Sequence, residues 1–265
     1  MHMFFEIGKI KIPGYGLFIA IGLLAVMLYL RLQKYYKELD FDTSLSAMLY
    51  ALIIGAIGAK ILYWITDPDS FMLIFNGDGP LLKRLQDSLS GGLVFLGGLI
   101  GAAIGIFIFL SKNKSIKLLP LLDIFAVGMP ILQMFGRVGC FMAGCCYGAC
   151  TDSKFSVVFP EGGLAPAHVH LYPTQLMGVV GNAIIVTILL LVQRKNKKPG
   201  KVFGLYLIMY SIGRFILEFF RGDEIRGIYG PLSTSQWISI PLLVVGIIVF
   251  IKASKIEYEE DIVNI

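Results

Sequence analysis

Charged residues are scarce in this sequence. They make up 15% of the 265 residues, whereas 56% are hydrophobic, and the mean hydropathy is +0.76. A soluble domain carries more charge and less apolar surface than this, so we expect lipid to be the main solvent of the chain. No soluble domain fits between the apolar runs, and we therefore expect one transmembrane domain covering residues 1–265.

Internal repeats and low-complexity tracts are also absent from the sequence. A transporter built from inverted repeats therefore gains no direct support. A cleavable signal peptide is not indicated either, because the first apolar run is too long and no small-residue cleavage site follows it.

Seven apolar runs are present, and a bilayer core needs roughly 20 apolar residues per helix. The predicted helices cover residues 14–32, 45–66, 91–111, 118–136, 173–193, 202–221 and 234–252. The sequence thus predicts an all-α integral membrane protein with about seven transmembrane helices.

Lys and Arg in the loops predict the orientation, because cytoplasmic loops carry an excess of both. Thirteen share the side of the C-terminus: Arg31, Lys34, Lys37, Lys112, Lys114, Lys117, Arg194, Lys195, Lys197, Lys198, Lys201, Lys252 and Lys255. Nine lie on the opposite side: Lys9, Lys11, Lys83, Arg84, Arg137, Lys154, Arg214, Arg221 and Arg226. We therefore expect a cytoplasmic C-terminus, and we assign the net charge of +5 to orientation rather than to nucleic-acid binding.

Ionisable residues near the outward helix ends are the candidates for chemistry, since such groups are costly in hydrocarbon. Arg137 lies between Gly136 and Gly139 at the predicted end of the fourth helix. Its planar guanidinium suits a phosphate, because it can donate two parallel charge-assisted hydrogen bonds. The alternative is an arginine that anchors the helix at the interface.

Arg214, Glu218 and Arg221 are spaced i, i+4 and i+7 in the sixth predicted helix, so they share one face. One carboxylate cannot neutralise two guanidinium groups, which leaves positive charge for an anion. The alternative is a closed Arg214–Glu218 pair with Arg221 among the headgroups.

A glycine-rich segment and one lysine precede these groups. The segment 91–101 matches no nucleotide-binding glycine pattern, and in lipid its small residues let a helix or a headgroup approach. Lys60 either extends to the membrane surface past Tyr63 and Trp64 or binds an anionic ligand, and the first interpretation is slightly favoured.

Four cysteines lie within eleven residues, in the pattern C-x4-C-C-x3-C from Cys140 to Cys150. This matches no standard zinc or iron–sulfur spacing. Disulfides, apolar packing and a reactive thiol all remain open. A thiol beside Arg137 would have a lowered pKa, which makes Cys145 a candidate nucleophile or base.

Taken in order, these segments resemble the prolipoprotein diacylglyceryl transferases, bacterial membrane enzymes that begin lipoprotein maturation. The resemblance covers nearly the whole chain. It is carried by Tyr15-Gly16, Gly58-Ala59-Lys60 with Tyr63, the glycine-rich segment, Gly136-Arg137-Val138-Gly139, Tyr172-Pro173-Thr174-Gln175-Leu176 and Gly213-Arg214-Phe215 through Arg221.

The resemblance implies transfer of the diacylglyceryl group of phosphatidylglycerol to the lipobox cysteine thiol in a prolipoprotein signal peptide. It places the enzyme in the bacterial plasma membrane, surrounded by membrane lipids, with its active site facing outward. Arg137 and Arg214 match the family's phosphate-facing arginines. No metal or organic cofactor is expected. The residues expected to bind substrate are Tyr15, Lys60, Gly97, Gly98, Gly139, Gly148, Gln175, Glu218 and Arg221.

Several positions depart from the family pattern. Leu96 replaces a usual His, Cys140, Ala143 and Cys145 stand in the stretch where the family has Asn, Asn and Glu, and Met177-Gly178 replaces Tyr-Glu. The phosphate-binding half of the motif is therefore kept while much of the proton-handling half is not. The chain is then either a divergent transferase of the same activity, or a lipid-binding relative with another acceptor or without catalysis.

Overall fold

A computed structural model describes residues 4–7, 10–76, 79–90, 92, 94–195, 198–223 and 227–255 of the chain. These residues form helices joined by loops and by small two-stranded sheets, and the longest connection covers residues 144–173. The helices are α1 (Gly14–Leu32), α2 (Phe41–Thr66), α3 (Pro68–Asn76), α4 (Leu81–Ser90), α5 (Phe95–Lys112), α6 (Leu118–Ala143), α7 (Thr174–Lys195), α8 (Lys201–Glu218) and α9 (Thr234–Lys255). The strands pair antiparallel as β1 (Phe4–Ile7) with β2 (Ile10–Pro13), β3 (Val157–Val158) with β4 (His170–Leu171), and β5 (Ile228–Tyr229) with β6 (Leu232–Ser233).

Each of the seven predicted helices is found, as α1, α2, α5, α6, α7, α8 and α9. Two short amphipathic helices, α3 and α4, occupy the connection between the second and third predicted helices. α5 begins at Phe95, and the predicted start at Gly91 lies outside the described residues. α6 is longer than predicted by two turns: it continues through Gly139 and ends before Gly144, whose φ of +70° is not helical.

Five of the described helices are long and apolar enough to cross a membrane, namely α1, α2, α6, α7 and α9. α5 is apolar but shorter, and α8 carries three charged residues, Lys201, Arg214 and Glu218. The chain is therefore a multi-pass membrane protein, while the count of seven spans and the cytoplasmic C-terminus remain predictions. Of the residues that supported the orientation, Lys9, Lys197 and Arg226 lie outside the described part of the chain.

Large apolar side chains cover the outer surfaces of these helices. On α1, for example, Leu24, Leu28 and Leu32 are all more than half exposed. In water such contiguous apolar surface would drive aggregation, whereas lipid solvates it. The exposed faces thus agree with an environment of hydrocarbon.

The chain divides into two compact units, one of residues 37–118 and one of residues 1–36 with 119–265. In the first unit α2 packs closely on α5. A Cβ on Gly97 would collide with the Gly58 carbonyl oxygen, and one on Gly101 with that of Ile54. The glycine-rich segment therefore lets two helix backbones approach each other. This is one of the two predicted roles of its small residues, the other being the approach of a lipid headgroup.

In the second unit the core lies between α6, α7 and α8, where Val127, Leu189 and Val202 are fully buried. A buried carboxylate fixes one end of this core. Asp123 accepts hydrogen bonds from Tyr36 Oη at 2.7 Å, Gly200 N at 2.8 Å and Phe203 N at 2.7 Å. It thereby ties α6 to the loop after α1 and to the first turn of α8.

Candidate functional site

The opposite end of this second unit gathers the start of α1, the end of α6, the start of α7, the end of α8 and the start of α9. Contacts between residues of different helices connect them. Gly139 of α6 lies against Tyr15 of α1, since a Cβ at position 139 would stand 3.1 Å from the tyrosine ring. Arg214 Nη2 of α8 donates to Ser235 Oγ of α9 at 2.6 Å.

Arg137 is half-buried in the last two turns of α6, one turn before Cys140. Its stem lies against α7: a Cβ on Gly178 would be 3.2 Å from Arg137 Cγ and Cδ and 3.4 Å from Nε. Within the described part of the chain, Arg137 has no ion pair and no hydrogen-bond acceptor. Its position inside the helix corrects the prediction that it stands at the helix end, and its charge remains available to an anion.

Arg214 and Glu218 form a buried ion pair, with Arg214 Nη2 at 2.9 Å from Glu218 Oε2. The glutamate is 1% exposed. The other terminal nitrogen, Arg214 Nη1, is buried without a hydrogen-bond acceptor among the described residues. This guanidinium is therefore held by Glu218 and Ser235 and keeps an unused donor.

Arg221 lies beyond α8, which ends at Glu218, and not within it as predicted. It remains close to Glu218, with Nη1 at 3.8 Å from Oε2, and it makes a two-pronged ion pair with Asp223. Its backbone pairs with that of Gly148. Asp223, which the sequence did not single out, supplies Arg221 with a carboxylate of its own.

The charges of these groups do not cancel. Among the described side chains, the site holds three guanidinium groups but only two carboxylates, those of Glu218 and Asp223. Arg137 lies near enough to act electrostatically on Arg214. Because Arg214 and Arg221 each have a carboxylate partner, the surplus positive charge resides on Arg137. A phosphate diester carries one negative charge, which would balance it.

The loop after α6 is attached to the start of α7. Gln175 Nε2 donates to the Cys145 carbonyl oxygen at 2.8 Å, and Thr174 Oγ1 donates to that of Cys146 at 2.8 Å. Gln175 is fully buried, and its Oε1 has no hydrogen-bond donor among the described residues. Gly148 has room for no side chain, since a Cβ there would collide with the Tyr172 carbonyl oxygen.

Three thiols meet beside Arg137: the Sγ atoms of Cys140, Cys145 and Cys146 lie within 4.8 Å of one another. Hydrogen bonds from the other two thiols lower the pKa of Cys146, and the charges of Arg137 and Arg221 lower it further. Hydrogen bonds to Cys140 and Cys146 instead raise the pKa of Cys145. Cys145, the predicted nucleophile or base, thus shares this cluster with two other thiols, and its role in the reaction remains a prediction.

The remaining predicted substrate-binding residues lie in the other unit. Lys60 is 7% exposed, donates to the Leu89 carbonyl oxygen at 3.3 Å and stands 4.5 Å from the centre of the Tyr63 ring. Its ammonium therefore does not extend to the surface, contrary to the favoured interpretation. Gly97 and Gly98 face α2, where Gly97 meets Gly58 and a Cβ on Gly98 would lie 3.5 Å from Ala59 Cβ.

The family model described as prolipoprotein diacylglyceryl transferase matches residues 2–252 of the chain. The chain belongs to the prolipoprotein diacylglyceryl transferase family. Relatives include the phosphatidylglycerol–prolipoprotein diacylglyceryl transferase of Clostridium tetani, which is 39% identical over 93% of this chain and 95% of its own length. The second such transferase of Clostridium perfringens is 42% identical over 92% of both chains, and that of Geobacter sulfurreducens is 30% identical over 96% and 95%.

Family membership confirms the resemblance seen in the sequence, and with it a transferase of lipoprotein biosynthesis. Sequence alone did not reveal Ser235, the hydrogen-bond partner of Arg214, or Asp223, the ion-pair partner of Arg221. Both lie at the helix ends that carry the family segments. A groove of about 480 Å³ between α7, α8 and α9 is lined by apolar side chains together with Lys195 and Lys201, and it lies at the other ends of these helices. It is therefore separate from the arginine site.

Proposed function

We propose that this chain transfers the diacylglyceryl group of phosphatidylglycerol to the cysteine thiol of a prolipoprotein. The observation that carries the proposal is Arg137, a half-buried guanidinium without a carboxylate among the described residues, beside two arginines that have theirs. The relatives' names supply the two substrates, phosphatidylglycerol and prolipoprotein. The arginine site supplies a physical means of holding the anionic one.

The reaction requires three events at this site. The thiol gives up its proton to solvent, its sulfur forms a bond to the glycerol carbon that bears the phosphate ester, and the carbon–oxygen bond of that ester breaks. The electron pair moves to the phosphate oxygen, so that glycerol phosphate leaves with an additional negative charge. Arg137 is placed to stabilise that charge, and stabilisation of developing charge is commonly the largest single contribution to catalysis.

Arg214 adds a second, firmly held guanidinium to the site. The buried Glu218 restrains the Arg214 guanidinium through an ion pair, which reduces the freedom of that side chain. Arg214 Nη1, which has no acceptor among the described residues, is available as a second donor to the phosphate. Tyr15, Gly139 and Gln175 lie around the same helix ends and would line the path of the substrate.

We further propose that the arginine site faces the outside of the bacterial plasma membrane, with the C-terminus in the cytoplasm. The distribution of Lys and Arg between the loops supports this orientation. Phosphatidylglycerol would then enter sideways between helices from the outer leaflet, and the signal peptide of the prolipoprotein would present its cysteine at the same depth.

Complementation tests the proposal. The chain is expressed in cells depleted of their own transferase, and lipidation of a reporter lipoprotein is scored. We expect lipidation with the wild-type chain and with Arg194→Ala, which removes an exposed arginine at the other end of α7, but not with Arg137→Ala. Wild-type protein that reaches the membrane and lipidates nothing would instead favour a relative with another acceptor, as the replaced Asn and Glu at positions 140 and 145 allow.

A further inference from the structure

The thiol cluster is a feature to which the transfer reaction described above gives no role. Cys140 lies in the last turn of α6, while Cys145 and Cys146 follow in the loop, and all three are half-buried. Their Sγ atoms lie within 4.8 Å of one another. Cys150 is exposed and does not belong to the cluster.

The backbone around the cluster is fixed by contacts on several sides. Cys145 N donates to the Cys140 carbonyl oxygen at 3.1 Å, which folds the loop back onto the helix. The buried side chains of Gln175 and Thr174 hold the carbonyl groups of Cys145 and Cys146. Cys146 adopts φ = +57°, a backbone conformation that is uncommon for residues other than glycine.

We propose that Cys140, Cys145 and Cys146 bind one Zn²⁺ ion and leave its fourth coordination position to the substrate thiol. Zinc binds thiolate sulfur at about 2.3 Å, so sulfur atoms in a tetrahedral site lie roughly 3.8 Å apart, a separation that falls within the 4.8 Å that contains all three Sγ atoms. Catalytic zinc sites commonly have three protein ligands and one open position. The unusual sequence spacing is no obstacle, because the loop after α6 brings the three sulfur atoms together.

The surrounding charge agrees with this composition. Three thiolates and one Zn²⁺ carry a net charge of −1, and the guanidinium groups of Arg137 and Arg221 both act on Cys146. A soft sulfur donor set also selects against Mg²⁺ and Ca²⁺, which prefer oxygen ligands. Before phosphatidylglycerol binds, the surplus charge of Arg137 would thus offset the charge of the metal site.

The catalytic role rests on the transferase activity proposed above, whereas the zinc site itself rests on the cluster alone. A thiol that coordinates zinc loses its proton, which passes to solvent. The bound thiolate then attacks the glycerol carbon, the sulfur–carbon bond forms, and the carbon–oxygen electron pair leaves on glycerol phosphate. The thioether product is a weaker ligand than a thiolate and is released. Zinc would thus replace a general base in a chain that has Cys145 where the family pattern has Glu.

Metal analysis of the full-length protein, purified in detergent without chelators, tests the site directly. We expect about one zinc per chain in the wild type and in Cys150→Ser, and loss of zinc in Cys146→Ser, as for removal of a coordinating thiolate. Chelated protein refilled with Co²⁺ should show the visible absorption of tetrahedral cobalt and a sulfur-to-metal band. That spectrum should change on addition of a lipobox peptide and stay unchanged with the same peptide carrying Ser for Cys.

Further outcomes separate this proposal from the preceding one. Wild-type protein that transfers diacylglyceryl groups with no bound zinc, or with a disulfide among the three cysteines, overturns the zinc site and leaves the transferase intact. Stoichiometric zinc with a thiol-dependent cobalt spectrum but no transfer upholds the site and refutes the activity. If Cys146→Ser fails to fold, chelation of the wild type, with activity restored by zinc alone, decides the catalytic role.

Discussion

The contact between Gly178 and the side chain of Arg137 can be tested by adding one methyl group at position 178. The glycine is buried in the second turn of α7, and a Cβ there would stand 3.2 Å from Arg137 Cγ and Cδ. That separation is tighter than nearly all contacts of real Cβ atoms, so the arginine stem must move by a few tenths of an ångström. Gly178→Ala should therefore shift the guanidinium while leaving the helix in place.

The expected effect follows from this shift. A misplacement of 1 Å at a reacting centre can cost about 100-fold in rate, so a shift of a few tenths corresponds to roughly 4- to 10-fold. The fold should not suffer, because alanine favours a helix over glycine by about 1 kcal/mol. Gly181→Ala is the matched control, since it lies one turn further along α7 and a Cβ there meets nothing within 4 Å.

The assay is release of glycerol phosphate from phosphatidylglycerol in nanodiscs containing a lipobox peptide, with the thermal midpoint measured in parallel. We expect a reduced rate for Gly178→Ala, an unchanged rate for Gly181→Ala, and similar midpoints for both. Equal rates for the two variants would refute the assignment of Arg137 to the phosphate, because the stem cannot accept the methyl group without moving.

Three further variants test the structure around the site. Arg214→Ala should destabilise the protein by up to about 3 kcal/mol, because it removes the nearer of the two guanidinium groups that pair with the buried Glu218, and a lower thermal midpoint measures this loss. Asp123→Ala leaves three buried donors unsatisfied and should cost about 3 kcal/mol or more in the same measurement. Asp40 is the N-cap of α2, and hydrogen bonds from Thr43 hold its pKa below the usual range. The ionised cap therefore stabilises the folded protein fully at pH values above the ordinary pKa of Asp. This stabilisation declines as the pH falls through the lowered pKa of Asp40.

Control variants and contradicting results make these three predictions testable. Asp152→Ala removes an exposed loop carboxylate and should leave the midpoint unchanged; an equal loss in both aspartate variants would contradict the role of Asp123. An Arg214→Ala protein as stable as the wild type would show that Glu218 is not buried against it. Asp40→Asn keeps a capping side chain without a charge, so its midpoint should lack this acid-dependent component.

The sequence predicts the helices well because their signal is hydrophobic length, which is local. It does not predict where α6 and α8 end. Arg137 lies inside α6 because the helix continues through Gly136 and Gly139 and ends only before Gly144, and Arg221 lies outside α8, where it pairs with Asp223 and with the backbone of Gly148. Such ends depend on tertiary partners that are distant in sequence.

The candidate site, too, can be predicted from the sequence only in part. The three arginines stand out in the sequence because charge is rare in apolar runs. The sequence does not single out Asp223, Ser235 or the contact of Gly178 with Arg137, since small polar residues and glycines occur throughout the chain. The cysteine spacing matches no standard metal-binding pattern, whereas the three-dimensional arrangement brings three of the four thiols together.

The central claim is that Arg137 binds the phosphate that leaves. The most direct measurement is the steady-state transfer rate of Arg137→Ala in nanodiscs, compared with the wild type and with Arg194→Ala. We predict a loss of about 100- to 1,000-fold for Arg137→Ala, as for removal of one donor to a developing negative charge, with an unchanged thermal midpoint and a normal rate for Arg194→Ala. A folded Arg137→Ala protein that transfers at the wild-type rate would contradict the account.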